Sequence, residues 1–192
     1  RVLAAGTSRA GAWGGGAAMS TGPRIPLAEA LDIAANTLAI LRPHCHKADL
    51  AGSGRRQRPT IGDLEIVCLP DRSPLESTPL FAGGFAQAVG QWPGLKGAPD
   101  GRYTQRLLSC GLKLDLFMPH PDGYGLVLAI RTGSADWSHL RLATAWKRAG
   151  FHSEGGLLRR EDGSIVPCRT ERELFDTIGL KWVEPQDREV GP

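Results

Sequence analysis

No stretch of the 192-residue chain reaches the roughly 18 uninterrupted apolar residues that a bilayer-spanning helix needs, so the sequence excludes a helical membrane protein. Cysteine is scarce. Cys45, Cys68, Cys110 and Cys168 stand singly, without a Cys-x-x-Cys pair. In a chain large enough to stabilise itself by burial, these are expected to be reduced core thiols. A strong excess of one charge is missing too: 23 basic against 20 acidic residues leave a formal +3, which permits a polyanionic partner without demanding one. After Met19 there is no internal repeat and no low-complexity tract. What is present, 41% hydrophobic and 22% charged residues, suffices for one domain or for two small lobes sharing a core.

Arg1 to Ala18 contain eleven Gly or Ala, no acid and no periodic apolar run. They lack both the continuous apolar core and the amphipathic Arg-rich helix of targeting peptides, so residues 1–19 are expected to be a disordered or non-native extension with Met19 as the natural start. Beyond it, Leu27, Leu31, Ala34, Ala35, Leu38 and Leu41 share one face of an opening helix with Pro26 in its first turn. Short apolar runs predict strands at Lys47 to Ala51, Asp63 to Leu69, Arg102 to Leu108 and Leu112 to Met118, with a helical patch from Leu80 to Val89. Helices are predicted over Tyr124 to Ile130, Ser134 to Ala149 and Thr170 to Ile178, with a hairpin around Glu161-Asp162-Gly163. The pattern is an α/β (α+β) fold: a mixed sheet flanked by helices over residues 20–121, then a smaller lobe over 122–192.

Three pieces of this pattern bear chemistry. In Ala51-Gly-Ser-Gly-Arg-Arg56, Gly52 and Gly54 flank Ser53 at a strand end, so backbone amides and a hydroxyl can approach phosphate oxygens closely, with two guanidiniums behind. The plain alternative is a Gly-Ser turn with a solvated basic run. In Gly62-Asp-Leu-Glu-Ile-Val67, Asp63 and Glu65 fall on one face of a strand and Leu64 and Ile66 on the other. Carboxylates so close raise each other's pKa unless a cation lies between them, and hard oxygen donors suit Mg2+. In Lys113-Leu-Asp-Leu-Phe117, Asp115 shares a face with Lys113 and Phe117, and an adjacent strand would deliver it to the first pair. Three carboxylates suffice for two metal ions that activate a hydroxyl and bridge a triphosphate, which is the chemistry of nucleotidyl transfer.

Together these motifs resemble the nucleotidyltransferase core of family X DNA polymerases, whose pattern is Gly-Ser-x-Arg-Arg, six residues, Asp-x-Asp and a distal Asp. Gly52 to Arg56 and Asp63-Leu-Glu65 fit it. Arg24-Ile-Pro26 looks like the start of the family's palm, Thr132-Gly133-Ser134 follows Asp115 at a similar interval, and Glu173 to Asp176 with Glu184 to Arg188 look like its C-terminal end, so the resemblance runs from Arg24 to Glu189. It implies a palm followed by a thumb-like lobe. It further implies that Asp63, Glu65 and Asp115 are catalytic and hold two Mg2+ ions, which Mn2+ can replace, with Asp115 the base for the primer 3′-hydroxyl. Nucleotide contacts would come from Arg24, Gly52, Ser53, Arg56, Gly62 and Gly133, and DNA contacts from Lys113, His139 and Arg141. For Arg24 and Lys113 a plain solvated charge is an equal alternative.

The chain departs from the family pattern in four places. Glu65 stands where replicating members mostly carry Asp, and its extra methylene is expected to alter rate or metal preference rather than abolish binding. Ile130-Arg131 stand where family members show aromatics under the sugar, which leaves the choice between deoxyribose and ribose open. The register of the helix after Ser134 drifts by about one residue; Trp137 and Trp146 on it are expected to be core anchors. Nothing before the palm resembles the lyase domain or helix-hairpin-helix grips of longer members. Because Arg1 and Arg9 lie in the extension, the remaining formal charge falls from +3 to +1, so weak DNA affinity is expected.

His44-Cys45-His46 lacks a second pair at zinc-finger spacing, and no Gly-x-Ser-x-Gly elbow surrounds a serine as a hydrolase would need. The resulting expectation is a minimal, monomeric, cytoplasmic DNA polymerase of a small viral or phage-like type, using dNTPs on primer-template or gapped DNA for short-gap filling. A template-independent or non-DNA nucleotidyltransferase is the first alternative, and a catalytically silent nucleic-acid-binding module the second.

Overall fold

The computed structural model describes residues 22–71 and 84–190. The expected extension at residues 1–19 and the first part of the predicted helical patch, residues 80–83, lie outside the described residues. The fold is α/β, as the sequence pattern indicates. A short strand, β1 (Ile25–Pro26), leads into α1 (Leu27–Leu41). Helix α1 buries Ala30, Ala34, Thr37, Leu38 and Leu41, while Leu31, placed on the apolar face by the sequence reading, is 40% exposed. The buried stripe is turned toward Ala30 because the helix lies against β2 (Cys45–Leu50).

After β2 come a one-turn helix α2 (Gly52–Arg55), β3 (Thr60–Ile61) and β4 (Asp63–Pro70). Then follow α3 (Gly84–Gly90), β5 (Gly94–Lys96), β6 (Tyr103–Leu107) and β7 (Lys113–Phe117). The main sheet has the order β2-β4-β7-β6-β5, antiparallel except for the central β4–β7 pair, which is parallel. Strand alternation divides its two faces. Leu64, Ile66, Leu114 and Leu116 enter a core with Leu38, Leu41, Phe85 and Val89. On the opposite face Val67 and Phe117 pack with Tyr124, Val127 and Leu128 of α4 (Tyr124–Thr132).

Helix α4 is buried from Tyr124 to Ala129, as a helix between two apolar layers must be. Its Leu126 and Ala129 join a second core with Trp137, Leu142, Trp146, Leu158, Leu174 and Phe175. The two tryptophans are core anchors, as expected. The long helix predicted after Ser134 is α5 (Ala135–Trp137), a π-helical stretch Ser138–Leu142 and α6 (Ala143–Arg148). A three-stranded sheet of β8 (His152–Glu154), β9 (Leu157–Arg159) and β10 (Ile165–Val166) contains the predicted hairpin. Thr170 caps α7 (Glu171–Thr177) through a reciprocal box with Glu173. An added Cβ at Gly125 of α4 would lie 2.1 Å from the Thr170 carbonyl oxygen, so only glycine lets α4 meet the start of α7 this closely.

One expectation needs correction. Cys68 and Cys168 are buried and Cys45 is partly covered, but Cys110 is exposed, because it lies in the turn between β6 and β7 rather than on a strand.

Candidate active site

The parallel pairing of β4 with β7 sets the three carboxylates on one face of the sheet. Asp63 lies opposite Lys113 and Glu65 opposite Asp115, while Leu64 and Leu114 between them turn to the core. The side chains of Asp63, Glu65 and Asp115 therefore share a face, and their charges are felt mutually. Burial and the Asp115 charge raise the Asp63 pKa, against the pull of Arg24, Lys113 and Arg56. Glu65 is shifted furthest, to about 7. Burial is the main cause, aided by Asp63 and Asp115, and Arg131 and Arg56 act in the opposite sense.

Glu65 is turned inward under the Gly52 loop. Ala51 donates its N–H to the Glu65 carbonyl at 2.8 Å, and Gly52 then takes φ +62°. A Cβ on Gly52 would stand 2.2 Å from Glu65 Oε2 and 3.0 Å from Cδ. Both the backbone and the carboxylate demand glycine here, so Gly52→Ala is expected to cost about 1–2 kcal/mol in urea denaturation. A variant as stable as the parent would show that Glu65 yields freely.

Asp115 has partners that the sequence reading missed. Tyr103 O–H donates to Asp115 Oδ1 at 2.5 Å and Gln105 Nε2 to the same oxygen at 2.9 Å. Burial and this bond push the Tyr103 pKa up, so it remains a donor. Tyr103 and Gln105 occupy alternate positions of β6, and the antiparallel register sets Gln105 opposite Asp115. Arg131, at the end of α4, was likewise not chosen as a site residue. Its guanidinium carbon lies 4.1 Å over the Phe117 ring, and Glu65, Asp115 and Tyr103 are its electrostatic partners. Of the pair Ile130-Arg131, Ile130 packs on the second core and Arg131 faces the carboxylates.

The loop arginines are committed to the C-terminal part of the chain. Arg55 donates to Thr132 Oγ1 at 2.6 Å and to both oxygens of Glu171 at 2.9 and 2.6 Å. Arg56 donates to Glu189 at 2.7 Å and to the Thr132 carbonyl at 2.7 Å. Arg188, fully buried, donates to Glu171 Oε1 at 2.5 Å and lies near the rings of Phe175 and Trp182. Arg55 and Arg56 are thus not a solvated run; they tie the loop to α4, α7 and the segment after α7, whereas Arg58 is exposed.

The other sequence-selected residues fall in two groups. Ser53 and Gly62 flank the carboxylate face on α2 and ahead of β4, and Arg24 donates to the Thr60 side chain and carbonyl at 3.1 and 2.7 Å while influencing Asp63. Gly133 ends α4, its N–H donating to the Ala129 carbonyl at 3.0 Å. His139 and Arg141 stand apart, exposed on the π-helical stretch.

Three carboxylates have the donor chemistry that Mg2+ or Mn2+ takes. Their arrangement does not match it as it stands: among the described residues no group of three or more His, Cys, Asp or Glu side chains is gathered to hold a metal ion. Glu65 is turned to Gly52, Asp115 to Tyr103 and Gln105, and Arg131 supplies the local positive charge.

Residues 127–189 match the family model for the DNA polymerase beta thumb. That match begins within α4 and ends at Glu189, the partner of Arg56, and supports a relationship to polymerase beta-like, family X proteins. No curated protein matches the chain. Among the described residues no helix is long and apolar enough to cross a membrane.

Proposed function

We propose that the protein is a family X-type nucleotidyltransferase that binds DNA and adds dNTPs to a primer 3′-hydroxyl, with a palm at residues 20–121 and a thumb-like lobe at 122–192. The observation that carries this reading is the pairing of Glu65 with Asp115 on parallel strands beside the Gly52-Ser53 loop, in a chain whose following segment matches a polymerase thumb. On this reading Asp63, Glu65 and Asp115 would have to turn toward one another from the arrangement described above to hold two Mg2+ ions, or Mn2+, which would supply neutralisation of the triphosphate and acidification of the attacking hydroxyl. Asp115 accepts the 3′-hydroxyl proton on the oxygen not bonded by Tyr103 and Gln105. The 3′ oxygen bonds the α-phosphorus, and the bond from that phosphorus to the leaving pyrophosphate breaks. Ser53 and the Gly52 loop hold the triphosphate, and Lys113, beside Asp63, faces the primer end. His139 and Arg141, exposed on the thumb-like lobe, contact DNA.

The Arg131 contact and the ungathered carboxylates favour one second reading, a catalytically silent DNA-binding module. Extension of a labelled primer on a one-nucleotide-gapped duplex, with each dNTP and rNTP singly in Mg2+ and in Mn2+, separates the two. The expected result is addition of the complementary nucleotide, reduced by 100-fold or more, about 3 kcal/mol of barrier, in Asp115→Ala. Addition that ignores the template base would assign a template-independent transferase. No addition under any condition would leave the silent module.

A further inference from the structure

The face of the sheet that carries Asp115 is closed by an arginine. Asp115 and Phe117 are two residues apart on β7 and point the same way. The Phe117 ring leans on Tyr103, with ring centres 5.2 Å apart, and Tyr103 holds Asp115 Oδ1. The Arg131 guanidinium lies 4.1 Å over the Phe117 ring, and so stands over this face one step along the strand from the Glu65–Asp115 pair. A planar cation stacked on an aromatic ring is held in place with its edge directed along the ring plane. Helix α4, which carries Arg131, is itself buried between two cores from Tyr124 to Ala129.

We propose that Arg131 is the resident counter-ion of Glu65 and Asp115 on the face they share with Asp63, balancing the charge that a divalent cation would otherwise balance, so that a cation is admitted only when Arg131 leaves the Phe117 ring. The inference rests on the reading of these three carboxylates as a metal site. It accounts for carboxylates that share a face and yet are not gathered as ligands: the charge of Arg131, held over the Phe117 ring, already acts on Glu65 and Asp115. It also gives a role to Ile130-Arg131, the departure in front of Thr132-Gly133.

The test is Mn2+ binding to the full chain without nucleotide or DNA, followed by the electron paramagnetic resonance signal of the free ion. Arg131→Met removes the charge and keeps an apolar stem on Phe117; Arg131→Gln is the second variant should the first fail to fold, with circular dichroism as the check. Both are expected to bind Mn2+ about tenfold or more tightly than the parent, since removing a positive charge from the carboxylate face lessens the repulsion of an entering cation. Asp115→Asn added to either variant is expected to abolish the gain. Equal or weaker binding that still requires Asp115 would overturn the counter-ion role and leave the metal site standing. Binding in no variant, or binding indifferent to Asp115, would overturn the metal-site reading and this inference with it. Loss of packing at Arg131 cannot mimic the expected result, because a damaged site does not gain affinity.

Discussion

Glu171→Ala is expected to destabilise the protein by about 3–5 kcal/mol, enough to unfold much of the population under mild conditions, because the substitution leaves two arginines facing each other with no anion between them. Glu171 is nearly buried and accepts from Arg55 on one side and Arg188 on the other, and Arg188 is fully buried. Burial alone would raise the Glu171 pKa, but bonds and charges from both arginines outweigh it and the net shift is downward. The sign of the pH effect follows. A carboxylate held below its unfolded value stabilises the fold above that value, 4.5, and the contribution is lost as pH falls through the folded pKa. Urea denaturation of Glu171→Ala and Glu171→Gln near neutral pH measures the loss. A Glu171→Leu, Arg188→Met double variant is expected to recover part of it, since the fully buried charge of Arg188 goes with its anion while the partly exposed Arg55 keeps only its bond to Thr132. A single variant as stable as the parent would mean that water reaches Arg188 and screens it.

Glu65→Gln is expected to have the opposite effect, stabilising the protein by about 3 kcal/mol near pH 8 in the presence of a chelator. The Glu65 pKa rises in the fold from 4.5 to about 7, so the native state keeps a proton that the unfolded chain releases. Stability from this group is fully present below 4.5 and gone once pH has passed about 7. Gln cannot ionise, so the difference between variant and parent should vanish toward pH 4.5 and grow to its full value above 7. The groups facing Glu65 are Arg131 from α4, Arg56 after α2, Asp63 on its own strand and Asp115 on β7. The two arginines reduce the shift and the two carboxylates add to it. A pH-independent difference, or a Gln variant less stable than the parent near pH 8, would show that Glu65 is charged at no cost. Set beside the Glu171 result, this separates two buried glutamates: one built into the fold as an anion, the other kept near neutrality in the face proposed to do chemistry.

Wherever period and local chemistry sufficed, the sequence was enough. Asp63 and Glu65 alternate with Leu64 and Ile66, and a period of two sends them to opposite faces of any strand they form. Thr170 and Glu173 are spaced for a capping box, which forms within one helical turn without help from elsewhere. The strands β5 and β8 went unrecognised, being three exposed residues each with no apolar alternation to mark them. Leu31 shares the apolar face by period and is nonetheless exposed, because period alone cannot say where a wide apolar stripe will be centred.

The site divides along the same line. Its residue types were legible: three carboxylates, a Gly-Ser loop and an arginine pair, all within short segments. What the tertiary structure alone decided is how those groups are charge-balanced. Arg55 meets Glu171 across 116 residues of sequence, and Arg188 completes the network from beyond α7. Tyr103 and Gln105 reach Asp115 because β6 pairs with β7 in one register and not the next. Arg131 reaches the carboxylate face because α4 is clamped between two cores. Electrostatic pairing acts through space at a few ångströms, and no local pattern encodes which distant cation will arrive. The chain's own residues thus fix where negative charge gathers, and the packing of the two cores fixes what positive charge meets it.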